Sequence, residues 1–306
     1  MPEIRFLQND SSDPINEGPV IELVQEMYEA LGRGLDLSCL DEIVVARDYP
    51  QALLTIGEEI GRRIARTNLG EIQGGAQVIP LHQGQGLTGA RLVMGLNLLL
   101  APDRAGINAF HHELAHVADM SRKRHVSGWL TTAARGPEAI RLDVAGVLWD
   151  EYFADRTAAG TSPETLEQPI DVHLRFTLLA DDSFQAVRLA AAGEVPTGFT
   201  PWPFAYSHLR NLWYLFALDC GRIDGLAEVG LITPEFQNGL TQAVCAAASA
   251  SGLDDIAVTI WGELRRLYMT RFEWRDLSAY DVLCDLVDTS FSRLGFPLIE
   301  QAYPST

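Results

Sequence analysis

The chain has 306 residues, 47% of them hydrophobic and 21% charged, which is the composition of a folded globular protein and excludes a disordered or fibrous chain. Its net charge is -18, with 41 acidic residues against 23 basic ones, and a field of that sign repels phosphate backbones and anionic membrane surfaces. Nucleic acid is therefore excluded as an expected partner.

The first dozen residues are polar and read as a loose segment. Val20, Leu23, Val24, Met27, Tyr28 and Leu31 then recur at helical spacing until Gly32 and Gly34. Ile43 to Ala46 is a short β-branched strand, and Ala52 to Arg66 returns to a helical pattern. Next come Gly74-Gly75, an apolar stretch from Ala76 to Leu81, a glycine turn at residues 84–86, and a second strand from Ala90 to Leu100. These read as a hairpin. From Pro102-Asp103 onward the pattern is helical, with breaks at Gly136-Pro137, Gly160 to Pro163, Gly193 to Pro203 and Gly230 to Pro234.

The fold class is thus α+β. The expected division is an N-terminal α/β lobe over 1–125, carrying the hairpin, and a helical lobe over 126–306, the two sharing a cleft. The start of the chain lacks the basic and apolar regions of a signal peptide, and the longest apolar run, Leu92 to Ala101, is about half of what a membrane span needs. Four scattered cysteines form no C-x-x-C pair. A soluble, cytoplasmic, reduced protein is expected, and its oligomeric state is not specified by these features.

Residues 112–116 read His-Glu-Leu-Ala-His. On a helix the i, i+4 spacing sets His112 and His116 on one face, where both imidazoles can reach one zinc ion at about 2.0–2.1 Å. Three protein ligands would leave a position for water, and Glu113 is then placed as its general base. Asp103 is the expected N-cap of this helix. Ile107, Phe110, Leu114 and Val117 form an apolar stripe on the side opposite the histidines.

The third ligand does not follow the metzincin pattern, because Asp119 and Arg122 stand where that class has glycine and histidine. A second helix is expected from Leu142 to Ala159, with Ala145, Leu148 and Tyr152 packed. On it Glu151 and Asp155 are again four apart. Glu151 can supply the third ligand, while Asp155 can accept a hydrogen bond from the far nitrogen of a zinc histidine. The small Ala154 would let the two helices approach.

His112-Glu113-x-x-His116 followed by Glu151-x-x-Ala154-Asp155 resembles the gluzincin metallopeptidases. The resemblance covers roughly residues 40–160. It implies a zincin-like fold, in which a small mixed sheet stands over the active-site helix and an edge strand, here Ala90 to Leu100, pairs with a peptide substrate. It also implies His112, His116 and Glu151 as zinc ligands, Glu113 as base and Asp155 as the partner of a ligand. The helix-strand-hairpin lead-in resembles bacterial cytosolic regulatory peptidases of the ImmA/IrrE type. Residues 107–111 lack the threonine or serine that those proteins place before the motif, so no substrate is carried over.

The remaining polar residues divide into weaker candidates. Tyr206 and His208, in the aromatic run Trp202 to Arg210, are candidates for stabilising an oxyanion, against the alternative that this run opens a core helix. Asp119 either supports the metal site or is a solvated acid before the basic run Arg122 to Arg124, which reads as the cationic end of a helix. His111 lies off the shared face of His112 and His116, and His82, His125 and His173 lack partner motifs. The expected function is zinc-dependent hydrolysis of peptide bonds, with a peptide or protein as partner. The alternative is a zincin-like protein that binds metal for regulation or interaction without peptidase activity.

Overall fold

The computed structural model describes residues 1–8, 16–64, 68–69, 72–73, 75–83, 86–101, 105–126, 136–161, 174–249 and 252–298. The polar run 9–13, Gly74, the turn residues Gly84 and Gln85, the expected cap Asp103, Pro163 and His173 lie outside them. Among the described residues the architecture is mixed α and β, with ten α-helices and a four-stranded mixed sheet. It divides into two compact units. One comprises Met1–His125 and Gly160–Gln168, the other Val126–Ala159 and Pro169–Thr306.

The first unit runs β1 (Glu3–Leu7), α1 (Glu17–Leu31), β2 (Leu40–Ala46), α2 (Tyr49–Glu59), β3 (Asn68–Leu69), β4 (Ile72–Gln73), β5 (Ala76–Gln83), β6 (Gly86–Gly95), α3 (Leu96–Leu99) and α4 (Ala105–Lys123). The main sheet has the order β1-β2-β6-β5, with β5 antiparallel at one edge and the other three strands parallel. Strand alternation sorts the side chains by face. Ile43, Val45, Leu92, Met94 and Val78 meet α1 through Val20 and Val24, and α4 through Phe110, Leu114 and Val117. On the opposite face Val44, Ala46, Val93 and Ile79 pack on Tyr49, Leu53 and Ile56 of α2. The uninterrupted apolar run of β2 follows from this burial on both faces.

Four expectations for this unit are corrected. Glu3–Leu7 is a strand, in register with β2 from Glu3↔Glu42 to Leu7↔Ala46. Its Ile4 and Phe6 pack on the core, whereas Arg5 joins an ion-pair ring in which Arg5 and Arg91 each bridge Glu42 and Glu59 at 2.5–3.0 Å. Helix α2 ends at Glu59, not near Arg66, because Gly61 takes φ +69°. The N–H of Arg62 then returns to the Gly57 carbonyl at 2.9 Å and that of Gly61 to Glu58 at 3.2 Å, closing a Schellman motif. The second hairpin strand stops at Gly95, and the leucines that follow, which are not branched at Cβ, form the short helix α3. Finally, β6 is an interior strand paired with both β2 and β5, so the edge beside it is β5.

The second unit is helical: α5 (Pro137–Ala158), α6 (Arg175–Ala191), α7 (Pro201–Glu228), α8 (Pro234–Ser249), α9 (Asp254–Thr270) and α10 (Asp281–Arg293). Helix α5 starts five residues before the expected Leu142, with Pro137 in its first turn after Gly136. Ala145, Leu148 and Tyr152 are fully buried, as their stripe implies. Helix α7 lies against α5 at two glycines. A Cβ at Gly221 would stand 2.5 Å from the Tyr152 carbonyl oxygen, and one at Gly225 would stand 2.4 Å from that of Arg156. Beside this crossing the buried Asp224 accepts hydrogen bonds from Tyr152 Oη (2.8 Å), Trp261 Nε1 (2.9 Å) and Arg265 Nη2 (2.6 Å). No helix among the described residues is long and apolar enough to cross a membrane.

Asp219 of α7 caps α6 from outside, accepting the backbone N–H of Phe176 at 2.9 Å and of Arg175 at 3.2 Å. Burial pushes its carboxyl up to about 7, while those N–H groups and Arg222 oppose the rise and Asp155 adds to it. A folded-state value above the unfolded one, about 3.9, means stability that is full below pH 4 and is lost as pH rises through about 7. Urea unfolding at pH 5 and pH 8 is expected to show a larger difference for the native chain than for Asp219→Asn. An equal difference would contradict the assignment.

Candidate metal centre

The motif lies on α4, whose buried stripe fixes the rotation of the helix. Phe110, Leu114 and Val117 are fully buried, and the histidines, on the other side, are half-buried. Ser121 Oγ accepts the N–H of Cys39 at 3.2 Å, Cys39 Sγ lies 3.4 Å from the Val117 carbonyl oxygen, and Arg124 donates to Ser38 Oγ at 2.9 Å. The C-terminal half of α4 is thereby tied to the segment entering β2.

On that frame the Nε2 atoms of His112 and His116 stand 3.0 Å apart, with ring planes at 81°. Two nitrogens at about 2.0–2.1 Å from one tetrahedral ion would be separated by roughly 3.3 Å. The pair is therefore within a few tenths of an ångström of the spacing that a shared ion requires. Glu113 is half-buried on the same helix.

His111 faces elsewhere. Its Nδ1 lies 3.2 Å from Thr161 Oγ1, which also accepts from Asn108 Nδ2 at 3.5 Å. Burial, with a smaller contribution from His112, lowers its pKa to about 4, so its ring is neutral at pH 7. His82 and His125 are exposed.

Asp119 is not a solvated acid. It is 3% exposed and pairs with Lys123 Nζ at 2.5 Å and with Arg122. Burial would raise its pKa, but the charges of Lys123 and Arg122 outweigh burial and hold it below the usual carboxylate range. Lys123, the one lysine of the chain, is 2% exposed. The basic run at the end of α4 is thus partly interior, which the charged sequence Arg122-Lys123-Arg124 conceals. The available signal was the i, i+4 spacing of Asp119 and Lys123.

In the second unit Glu151 and Asp155 lie on α5, Glu151 half-buried and Asp155 buried. Asp155 Oδ2 accepts from Arg222 Nη2 of α7 at 3.3 Å, a partner that sequence reasoning missed. Ala154 is fully buried on α5, but the tight helix contact of this unit is made by Gly221 and Gly225 of α7. The Gly-x-x-x-Gly spacing in an apolar helix was its sequence signal.

Tyr206 and His208 stand in the first turns of α7, and the helix they open carries Leu212, Trp213, Leu215 and Phe216 into the core. Tyr206 Oη donates to Asp143 Oδ2 at 2.5 Å, beside Arg210 Nε at 2.7 Å, and its ring stacks on Trp202. Burial and then the Asp143 carboxylate push the phenol well up. The His208 ring lies 4.5 Å from that of Phe204 between centroids, and burial lowers its pKa.

No protein-family model, curated protein or solved structure matches the chain.

Proposed function

We propose that the chain is a zinc-dependent metallopeptidase of the gluzincin, zincin-like type, in which His112, His116 and Glu151 hold the ion and Glu113 is the general base. The observation that carries this reading is the 3.0 Å separation of the two Nε2 atoms on the motif helix. Two imidazole nitrogens and one carboxylate oxygen form a donor set suited to a borderline ion such as zinc, and with three protein ligands it is the set of a catalytic rather than a structural centre. Zinc in such a centre supplies a Lewis acid that polarises a carbonyl and acidifies water.

The chain's own residues would do the rest. Glu113 takes the proton from the attacking water and passes it to the leaving amine. Asp155 holds the tautomer of a ligating histidine. An extended substrate pairs with β5, the antiparallel edge strand that packs against α4 in the first unit. Pro80 has no N–H to offer there, and its carbonyl oxygen accepts from Arg62 Nη2 at 3.0 Å, so substrate pairing is confined to the flanking residues. Of the two oxyanion candidates, His208 is the better donor. No described residue hydrogen-bonds to its ring, whereas the Tyr206 proton is already given to Asp143.

Hydrolysis of a mixed peptide library should be lost on treatment with a zinc chelator and restored by added zinc. Turnover indifferent to chelation would contradict the proposal. Bound zinc with no turnover on any peptide would favour a metal-binding regulatory module instead.

A further inference from the structure

Strand β5 is an outer strand of the main sheet, and its register with β6 fixes which of its backbone groups face outward. Opposite residues of an antiparallel pair alternate between exchanging hydrogen bonds with each other and directing them away. The N–H of Gly95 donates to the Gly75 carbonyl at 2.7 Å, so the alternation makes Gln77↔Val93 and Ile79↔Arg91 bonded pairs as well. Ala76, Val78 and Pro80 therefore point their backbone groups out of the sheet. Two contacts agree with this phase. The N–H of Ala90, opposite Pro80, donates away from β5 to the Cys39 carbonyl at 2.6 Å, and the Pro80 carbonyl is taken by Arg62.

Beyond Pro80 the ladder is irregular, because the register shifts between Leu81 and His82. The regular outer edge thus offers Ala76 and Val78 to an extended peptide, and at the next rung a guanidinium stands where proline has no N–H. Arg62 Nη2 donates to the Pro80 oxygen at 3.0 Å. Among the described residues the Arg62 side chain has no second hydrogen-bond partner and no ion pair. A guanidinium carries five N–H donors in one plane, so most of them remain available beside the strand. Arg62 is exposed and shares a surface groove with Glu58 and Arg63, which gives the groove a net positive charge on a chain whose own net charge is -18.

We propose that Arg62 determines specificity by receiving a carboxylate of the peptide that lies along Ala76 and Val78, whether an acidic side chain or the chain end. The peptide's place on β5 rests on the metallopeptidase reading, and the Arg62 contact adds which peptides are chosen. A planar fork of charged donors is suited to a carboxylate, which can accept two of them at once.

The test uses one host decapeptide carrying Glu, Gln or Lys at each position in turn, made with a free and with an amidated C-terminus. Dye-labelled copies are titrated into the protein to read affinity by anisotropy, and the unlabelled set is followed for hydrolysis by mass spectrometry. The native chain is expected to prefer Glu over Gln by up to about fivefold at one position, the size of a single exposed charge contact. Arg62→Gln should abolish that preference and Arg62→Glu should turn it toward Lys. Both variants should fold, because the side chain is exposed and the end of α2 is closed by the Arg62 backbone N–H. A preference for the free over the amidated terminus, also lost in Arg62→Gln, would identify the chain end as the carboxylate. Equal affinity of the native chain for all the peptides, or a preference unchanged in both variants, would overturn the inference. An Arg62-dependent preference in binding without hydrolysis of any peptide would overturn the metallopeptidase reading and leave the carboxylate contact standing. Peptides that neither bind nor are cleaved would overturn both.

Discussion

Replacing Glu113 with Gln is expected to lower peptide hydrolysis by about 10²–10⁴-fold while leaving the zinc content near that of the native chain. Glutamine preserves the volume and the hydrogen-bonding shape of the side chain but cannot accept the proton of the attacking water at neutral pH. Because the apolar stripe of α4 sets its rotation, the substitution should disturb neither the helix nor the 3.0 Å separation of the histidine nitrogens. Steady-state hydrolysis and metal analysis of the same sample check both halves. A variant that keeps native turnover would remove Glu113 from the chemistry. One that loses zinc as well would mean that its carboxylate is needed to build the site.

The largest stability effect is expected at the inner end of the same helix. Asp119→Ala should destabilise the first unit by about 3–5 kcal/mol, because it leaves Lys123 buried at 2% exposure with its 2.5 Å partner removed. Arg122, which also pairs with Asp119, loses that contact too. Asp119→Ala combined with Lys123→Met should recover most of the loss, since the buried ammonium is replaced by an apolar chain of similar length. The folded-state pKa of Asp119 lies below the unfolded value, so its contribution is present above about pH 4 and fades as pH falls through the folded value. Chemical unfolding of the single and double variants at neutral pH measures the difference. Equal destabilisation in both would show that the pair does not act as a unit.

The candidate site was more legible in the sequence than the fold around it. His112 and His116 share a face because four residues make about one helical turn, and the stripe of Phe110, Leu114 and Val117 defines the opposite face from local sequence alone. The α5 stripe was readable for the same reason. What escaped depends on partners distant along the chain. Strand β1 looks polar because Arg5 interrupts Ile4 and Phe6, and its parallel partner β2 begins more than thirty residues later. A hairpin likewise does not reveal which of its strands another strand will cover. Only the pairing of β2 with β6 makes β5 the edge. Lys123 belongs to a run that reads as the cationic end of a helix, and nothing local marks Arg222, until the carboxylates of Asp119 and Asp155 are seen beside them in the interior. Burial of that kind is a property of packing, which composition does not carry.

The most direct test of the metal centre is elemental analysis of the purified chain beside its His116→Ala variant. Close to one zinc per native chain, and essentially none in the variant, is the expected result. A native chain without bound metal, or a variant that retains it undiminished, would contradict the metal centre on which the proposed function rests.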